Sequence, residues 1–227
     1  MKISKEFSKF AQEYETHSVI QTLVVEKLLS LVKGNPKHIL DLGCGSGALC
    51  KKIEWEYDSF TGVDFAQGML DLHPKSKKIE LLYGDFNDRD LLRSFATKSY
   101  DYILSASALQ WAEHLDNAFR DISTLNTPVS LAIFSSNTFK TLNKTASIDS
   151  MLLPSKEIDR LQKKYFDAKF EVVEYKLEFE NVREMFRYIK RSGVSGSRNL
   201  LSIKEMKELM RDYPLNYLEF EVVFISS

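Results

Sequence analysis

The chain is expected to fold as an α/β protein around one mostly parallel sheet. Three observations carry that expectation. Short β-rich apolar runs alternate with segments of helical period over the first 135 residues. The first run leads through Gly43-x-Gly45-x-Gly47 straight into a helix. Asp41, Asp64 and Asp85 stand at the carboxyl ends of three successive strand candidates, where open α/β sheets take their ligands.

The elements follow in order. A helix is expected over 18–32, where Val19, Ile20, Leu23, Val24, Leu28 and Leu31 recur at i, i+3, i+4 spacing. Strands are expected at 38–42, 60–64, 79–83, 100–106, 129–135, 170–179 and 217–225. The first five are short and apolar, as strands covered on both faces are. The last two, FEVVEYKLEF and YLEFEVVFIS, are long and alternate, which suits strands near a sheet edge and an antiparallel arrangement. Between them a helix is expected at 181–192, with Val182, Met185, Phe186 and Ile189 on one face and Arg183, Arg187, Lys190 and Arg191 on the other. Gly193 and Gly196 break it.

Composition excludes several classes. The 227 residues are 44% hydrophobic and 28% charged, so a single packed domain over 1–227 is expected rather than a disordered or disulfide-built chain. Net charge is −1, and no global basic field argues for nucleic acid. The two cysteines, Cys44 and Cys50, lack the spacing of a metal site, and no metal is expected. The N-terminal MKISKEFSKFAQEYE lacks an apolar signal core, and no run approaches a membrane span. A cytoplasmic protein with no membrane partner is the expectation.

The stretch HILDLGCGSGALCKKI carries most of the functional information. Glycines let the backbone turn sharply and approach a ligand, and the helix start offers free N–H groups. Ala48 occupies a place that the dinucleotide fingerprint also accepts, so the glycines alone do not separate NAD from other nucleotides. Asp64 suits bidentate hydrogen bonding to ribose hydroxyls, and Asp85 can accept from an adenine amino group. Asp85 before Asn87 can equally be a turn residue.

The set DLGCGSG, GVDFAQGML, GDFND and YDYILSASALQW resembles the class I S-adenosylmethionine (SAM)-dependent methyltransferases over residues of about 35–135. The resemblance implies a Rossmann-like, seven-stranded sheet of order 3-2-1-4-5-7-6 with an antiparallel seventh strand and a helical cap. It places Gly43 and Gly45 under the methionine part of SAM and Asp64 on the ribose. Asp85 and Phe86 meet the adenine, and Asp41 orients the loop and the amino group. Tyr14, Gln21, Phe65, Met69 and Ser105 complete the expected cofactor set.

Three flanks resemble the malonyl-[acyl-carrier protein] O-methyltransferases of biotin synthesis. They are FSKFAQEYETHSVIQTLVVEKLL with Phe10, Ala11, Tyr14 and Gln21; SALQWAEHLDNAF; and MFRYIKRSGVSGSRNLLSIKEMKELMRDYP with the closing YLEFEVVF. This implies methylation of a free carboxylate of a malonyl thioester on an acyl carrier protein, with the N-terminal helix and the 181–212 segment as a cap. Such a carboxylate is ionised at neutral pH and needs no general base or metal. Tyr14, Gln110 and Trp111 are expected around the reacting groups, with Gln110 orienting a carboxyl or carbonyl oxygen. Arg183, Arg187, Lys190, Arg191 and Arg198 are expected to meet the acidic carrier. A carboxyl methyltransferase of a small acid, of the trans-aconitate type, is the alternative.

Overall fold

The computed structural model describes residues 19–191 and 202–227. Its centre is one seven-stranded sheet of order β3-β2-β1-β4-β5-β7-β6. The strands are β1 His38–Leu42, β2 Ser59–Asp64, β3 Ile79–Tyr83, β4 Tyr102–Ala106, β5 Val129–Phe134, β6 Lys169–Glu178 and β7 Tyr217–Ser226. The first five pair in parallel, and β7 runs antiparallel to both β5 and β6. Both the strand order and the reversed last strand match the sequence-based expectation.

The sheet separates two apolar layers. Side chains alternate along each strand, so Ile39, Tyr102, Leu104, Ala132, Phe134 and Phe220 face one layer. Leu40, Leu42, Ile103, Leu131, Ile133 and Val223 face the other. The first layer is closed by α1 (Val19–Ser30), α2 (Ala48–Lys52) and α8 (Val182–Arg191). The second is closed by α4 (Arg89–Ser94), α5 (Leu115–Ser123) and α7 (Ser155–Gln162). Burial on both faces explains why β1, β4 and β5 read as unbroken apolar runs, whereas β6 at the edge alternates.

Local signals set the helix starts. The Asp88 side chain accepts the Asp90 and Leu91 N–H groups and caps α4. Asn181 accepts the Glu184 N–H at the head of α8. Ser202 and Glu205 form a reciprocal capping box on α9 (Ile203–Asp212). The remaining helices are α3 (Gln67–Leu72) and α6 (Lys140–Thr145).

One expectation is corrected on α1. Ile20, Gln21, Val24, Val25 and Leu28 form its buried stripe, while Val19 and Leu23 are exposed. The helix buries adjacent pairs one turn apart, so the stripe is turned relative to the expected one. The Ser130 hydroxyl, near the start of β5, donates to Leu28 O (3.2 Å) near the end of α1. That contact places the head of α1, with Gln21, toward the carboxyl end of the sheet.

Candidate active site

The chain leaves β1 for β2 and β3 on one side, then returns to β4 on the other. The crevice at the carboxyl ends of β1 and β4 is therefore the switch point where such sheets bind ligands. Asp41 sits there, in register with Gly62 of β2 and Leu104 of β4.

The glycine loop closes this crevice. Gly43, Gly45 and Gly47 have φ of 75°, 53° and 85°, the left-handed region that side chains disfavour. The Gly43 and Cys44 N–H groups donate to Val63 O at 2.8 and 3.0 Å and pin the loop to β2. Gly43 also lies hard against the turn after β4: a Cβ on it would come 2.2 Å from the Ala108 Cβ. At Gly47 the neighbour is the buried His73 imidazole, whose charged form burial disfavours, lowering its pKa.

Two carboxylates stand at the crevice in different states. Asp64 is buried, and its Oδ1 accepts the Ala66 N–H (2.8 Å) while Oδ2 accepts the Gly45 N–H (2.9 Å). Burial raises its pKa, and those backbone donors oppose the rise. The Phe65 N–H is a third such donor, and the carboxylate's roughly four acceptor sites leave room for a further one. Asp41 is 1% exposed, and neither of its oxygens has a hydrogen-bond partner among the described residues. Burial, and then the charge of Asp64, hold its carboxyl well above the usual range. An ionised carboxylate without donors is costly in such a place.

The other expected residues fall into three groups. Phe86 and Met69 are buried, and Phe65 is half-buried. Asp85 Oδ1 accepts both the backbone N–H (2.9 Å) and the side-chain amide (2.8 Å) of Asn87, so the turn role is realised, and Oδ2 remains for another donor. Gln21 is buried with Oε1 unpartnered, and Trp111 is half-buried after β4.

Two expected site residues also hold the fold. Ser105 is fully buried and its hydroxyl donates to Leu42 O (2.7 Å), which ties β4 to β1. The Gln110 amide nitrogen donates to Ser107 O (2.6 Å), which leaves its second N–H and its oxygen for other partners. Tyr14 and Arg198 lie outside the described residues, as do the side chains of Lys190 and Arg191. Arg183 and Arg187 are exposed on α8, opposite buried Met185 and Tyr188. The reading of the sequence passed over Ala108, Ser107 and His73, because their closeness to the glycine loop arises only when β4 and α3 are packed beside it.

Comparison with known proteins agrees with this geometry. A family described as "Methyltransferase domain" matches residues 39–128. The YcgJ protein of Bacillus subtilis superposes with a TM-score of 0.65 at 12% identity, covering 89% of this chain and 96% of that one. A Haemonchus contortus phosphoethanolamine N-methyltransferase, solved with S-adenosylhomocysteine (SAH), superposes with a TM-score of 0.58 at 15% identity over 96% of this chain and 57% of its own. By its fold and this family match the chain is similar to SAM-dependent methyltransferases. In sequence it is similar to proteins named malonyl-[acyl-carrier protein] O-methyltransferase. The protein of that name from Methylovorus sp. is 29% identical over 85% of this chain and 72% of its own length. The one from Geobacter sulfurreducens is 28% identical over 93% and 90%. Among the described residues no helix is long and apolar enough to cross a membrane.

Proposed function

We propose that the chain transfers a methyl group from SAM to the free carboxylate of a malonyl thioester on an acyl carrier protein, in the cytoplasm. The observation that supports the cofactor half most directly is the fully buried carboxyl of Asp41, unpartnered among the described residues, beside a loop whose three glycines all have positive φ. The residues suit SAM, a cation with an amino-acid end and a ribose. Asp41 would face the positive amino-acid end, Asp64 the ribose hydroxyls, and Phe86, Met69 and Asp85 the adenine.

When bound, SAM supplies an electrophilic methyl group on a sulfonium. The chain's residues bind, orient and exclude water. The acceptor carboxylate is already ionised and needs no base from the protein. Attack by an anion on a cation is favoured where water is excluded, and half-buried Trp111, next to buried Leu109, would supply apolar cover after β4.

The acceptor half is supported by likeness to the carrier-protein methyltransferases and by α8. Arg183 and Arg187 point outward and make no ion pair among the described residues, in a chain of net charge −1. An acidic carrier suits that surface. Labelled SAM offered with malonyl-carrier protein, malonyl-CoA and trans-aconitate tests the proposal. Preferential labelling of malonyl-carrier protein supports it, and labelling of the free small acid alone refutes it.

A further inference from the structure

His73 is a buried titratable group that the proposed methyl transfer does not use. It lies just past α3, is 3% exposed, and packs where the glycine loop enters α2. A Cβ built on Gly47 would come 2.9 Å from both Cδ2 and Nε2 of its ring, and 2.6 Å from Cδ of Pro74. Gly47 therefore rests on the edge of the imidazole and on the adjoining proline. Gly47 also ties the loop to the helix: its N–H donates to Cys44 O (2.9 Å), and its carbonyl accepts the Lys51 N–H (2.9 Å). The floor under Gly47 thus supports the turn from Cys44 into α2.

The hydrogen bonding fixes which form of the imidazole fits. His73 Nδ1 lies 2.9 Å from Pro74 O, which can only accept, so Nδ1 carries the proton. Nε2 is then the bare nitrogen, buried against Gly47 with no partner among the described residues. A second proton there would leave a charged N–H without an acceptor. The surroundings do not favour it. Burial chiefly, and the Lys51 charge on α2 in part, lower the pKa from the ordinary 6.5, against the Pro74 carbonyl, which raises it. From β2 the ring meets Phe60 (5.8 Å), behind which the Tyr57 phenol stays neutral, its pKa pushed up to about 12 by burial first. On α3 itself Asp71 accepts the Gln67 side-chain amide (2.9 Å). An imidazolium escapes this cost by swinging out to water, and the ring that leaves is the floor under Gly47. We propose that His73 is a positioning residue for the glycine loop: its neutral ring seats Gly47 in the cofactor-binding shape, and protonation unseats it, so that SAM and SAH prefer the neutral form. This rests on the methyltransferase reading above. By linkage, a ligand that prefers the neutral form must in turn hold the proton off His73. Affinity is then full at high pH. It falls as pH drops through the pKa of the ligand-free protein, by up to about tenfold per unit, until the lower pKa of the bound form is reached.

Two measurements test this, and neither needs turnover. In the first, NMR of the histidine-labelled wild-type protein follows the His73 imidazole, assigned through its bonds to the backbone, from about pH 8 to about pH 5 with and without SAH. The expected result is a pKa about one unit lower with SAH, equivalent to about a tenfold preference. An equal or a higher pKa with SAH overturns the proposal. In the second, calorimetry gives SAH affinity over the same range for wild type, His73→Asn and His73→Phe. Asparagine keeps a donor for Pro74 O, phenylalanine keeps a ring under Gly47, and neither titrates. Asp41, Asp64 and Asp85 are common to all three proteins, so any loss of affinity they cause cancels in the comparison. Wild type is expected to lose about tenfold more affinity than either variant on going from about pH 8 to about pH 5. Parallel profiles overturn the proposal even where a variant binds more weakly throughout, since a merely structural residue gives that result. Should a variant fail to fold, the wild-type titration still decides. A wild-type chain that binds no SAH at any pH refutes the cofactor reading, and this inference with it.

Discussion

Gly43→Ala is expected to damage the site by two separable routes. The added Cβ would lie 2.2 Å from the Ala108 Cβ, where carbon atoms ordinarily approach to about 3.5–4.0 Å. Neither side yields readily. The loop is pinned by the Gly43 and Cys44 N–H groups on Val63 O, and the turn by the Ser107 N–H on Ala132 O. Overpacking of this kind costs about 1–3 kcal/mol. The φ of 75° adds about 1–2 kcal/mol for any residue with a Cβ. The sum is about 2–5 kcal/mol, a fall in Tm of roughly 5–20 °C for a chain this size. Ala108→Gly removes the obstructing methyl but not the φ cost. In that background Gly43→Ala is expected to cost only about 1–2 kcal/mol, leaving a coupling of about 1–3 kcal/mol between the positions. Urea and thermal unfolding of the four ligand-free proteins measure it. A Gly43→Ala variant within about 0.5 kcal/mol of wild type, or one equally costly in both backgrounds, would refute the packing argument.

Three further outcomes are expected. Asp64→Asn removes one acceptor from the Gly45 and Ala66 amides as well as the proposed ribose contact, so it should weaken SAH binding about 100-fold and cost about 1–3 kcal/mol of stability; calorimetry and urea unfolding check the two effects, and unchanged SAH affinity counts against the ribose role. Asp41 has a raised folded-state pKa, so the stability it lends the ligand-free chain is complete below the ordinary value of about 3.9 and is lost as pH rises to the raised value. Each pH unit in that window costs about 1.4 kcal/mol; Asp41→Asn should flatten this fall, and parallel Tm–pH curves for the two proteins would contradict it. Reversing Arg183 and Arg187 to Glu should raise KM for malonyl-carrier protein several-fold at low salt and leave SAH affinity unchanged; equal KM values move the docking surface elsewhere.

The sequence carried the sheet almost to the residue, because β1, β4 and β5 are buried on both faces and β6 and β7 are bounded by strong helix signals. It also carried the glycine loop and the three acids, whose spacing reflects the strand ends. It did not distinguish the acids from one another. Asp64 is held by backbone donors, Asp85 by its own turn, and Asp41 by no donor among the described residues, and that depends on which amides the loops present. Nor was it legible that the Asp64 carboxylate secures the glycine loop, through the Gly45 N–H. The contact of the Gln110 amide with Ser107 O, three residues away, was not legible, because it arises only once the turn after β4 is formed. Nor was the tie from the Ser105 hydroxyl to Leu42 O, since it depends on β4 lying beside β1.

The central claim is that the methyl group arrives on a carboxylate oxygen. The most direct measurement is the alkali lability of the product formed from malonyl-carrier protein and methyl-labelled SAM. A methyl ester releases its label as methanol under mild base, and the account predicts that release. A label that stays on the carrier or its acyl group through the same treatment would place the methyl on carbon, nitrogen or sulfur and contradict it.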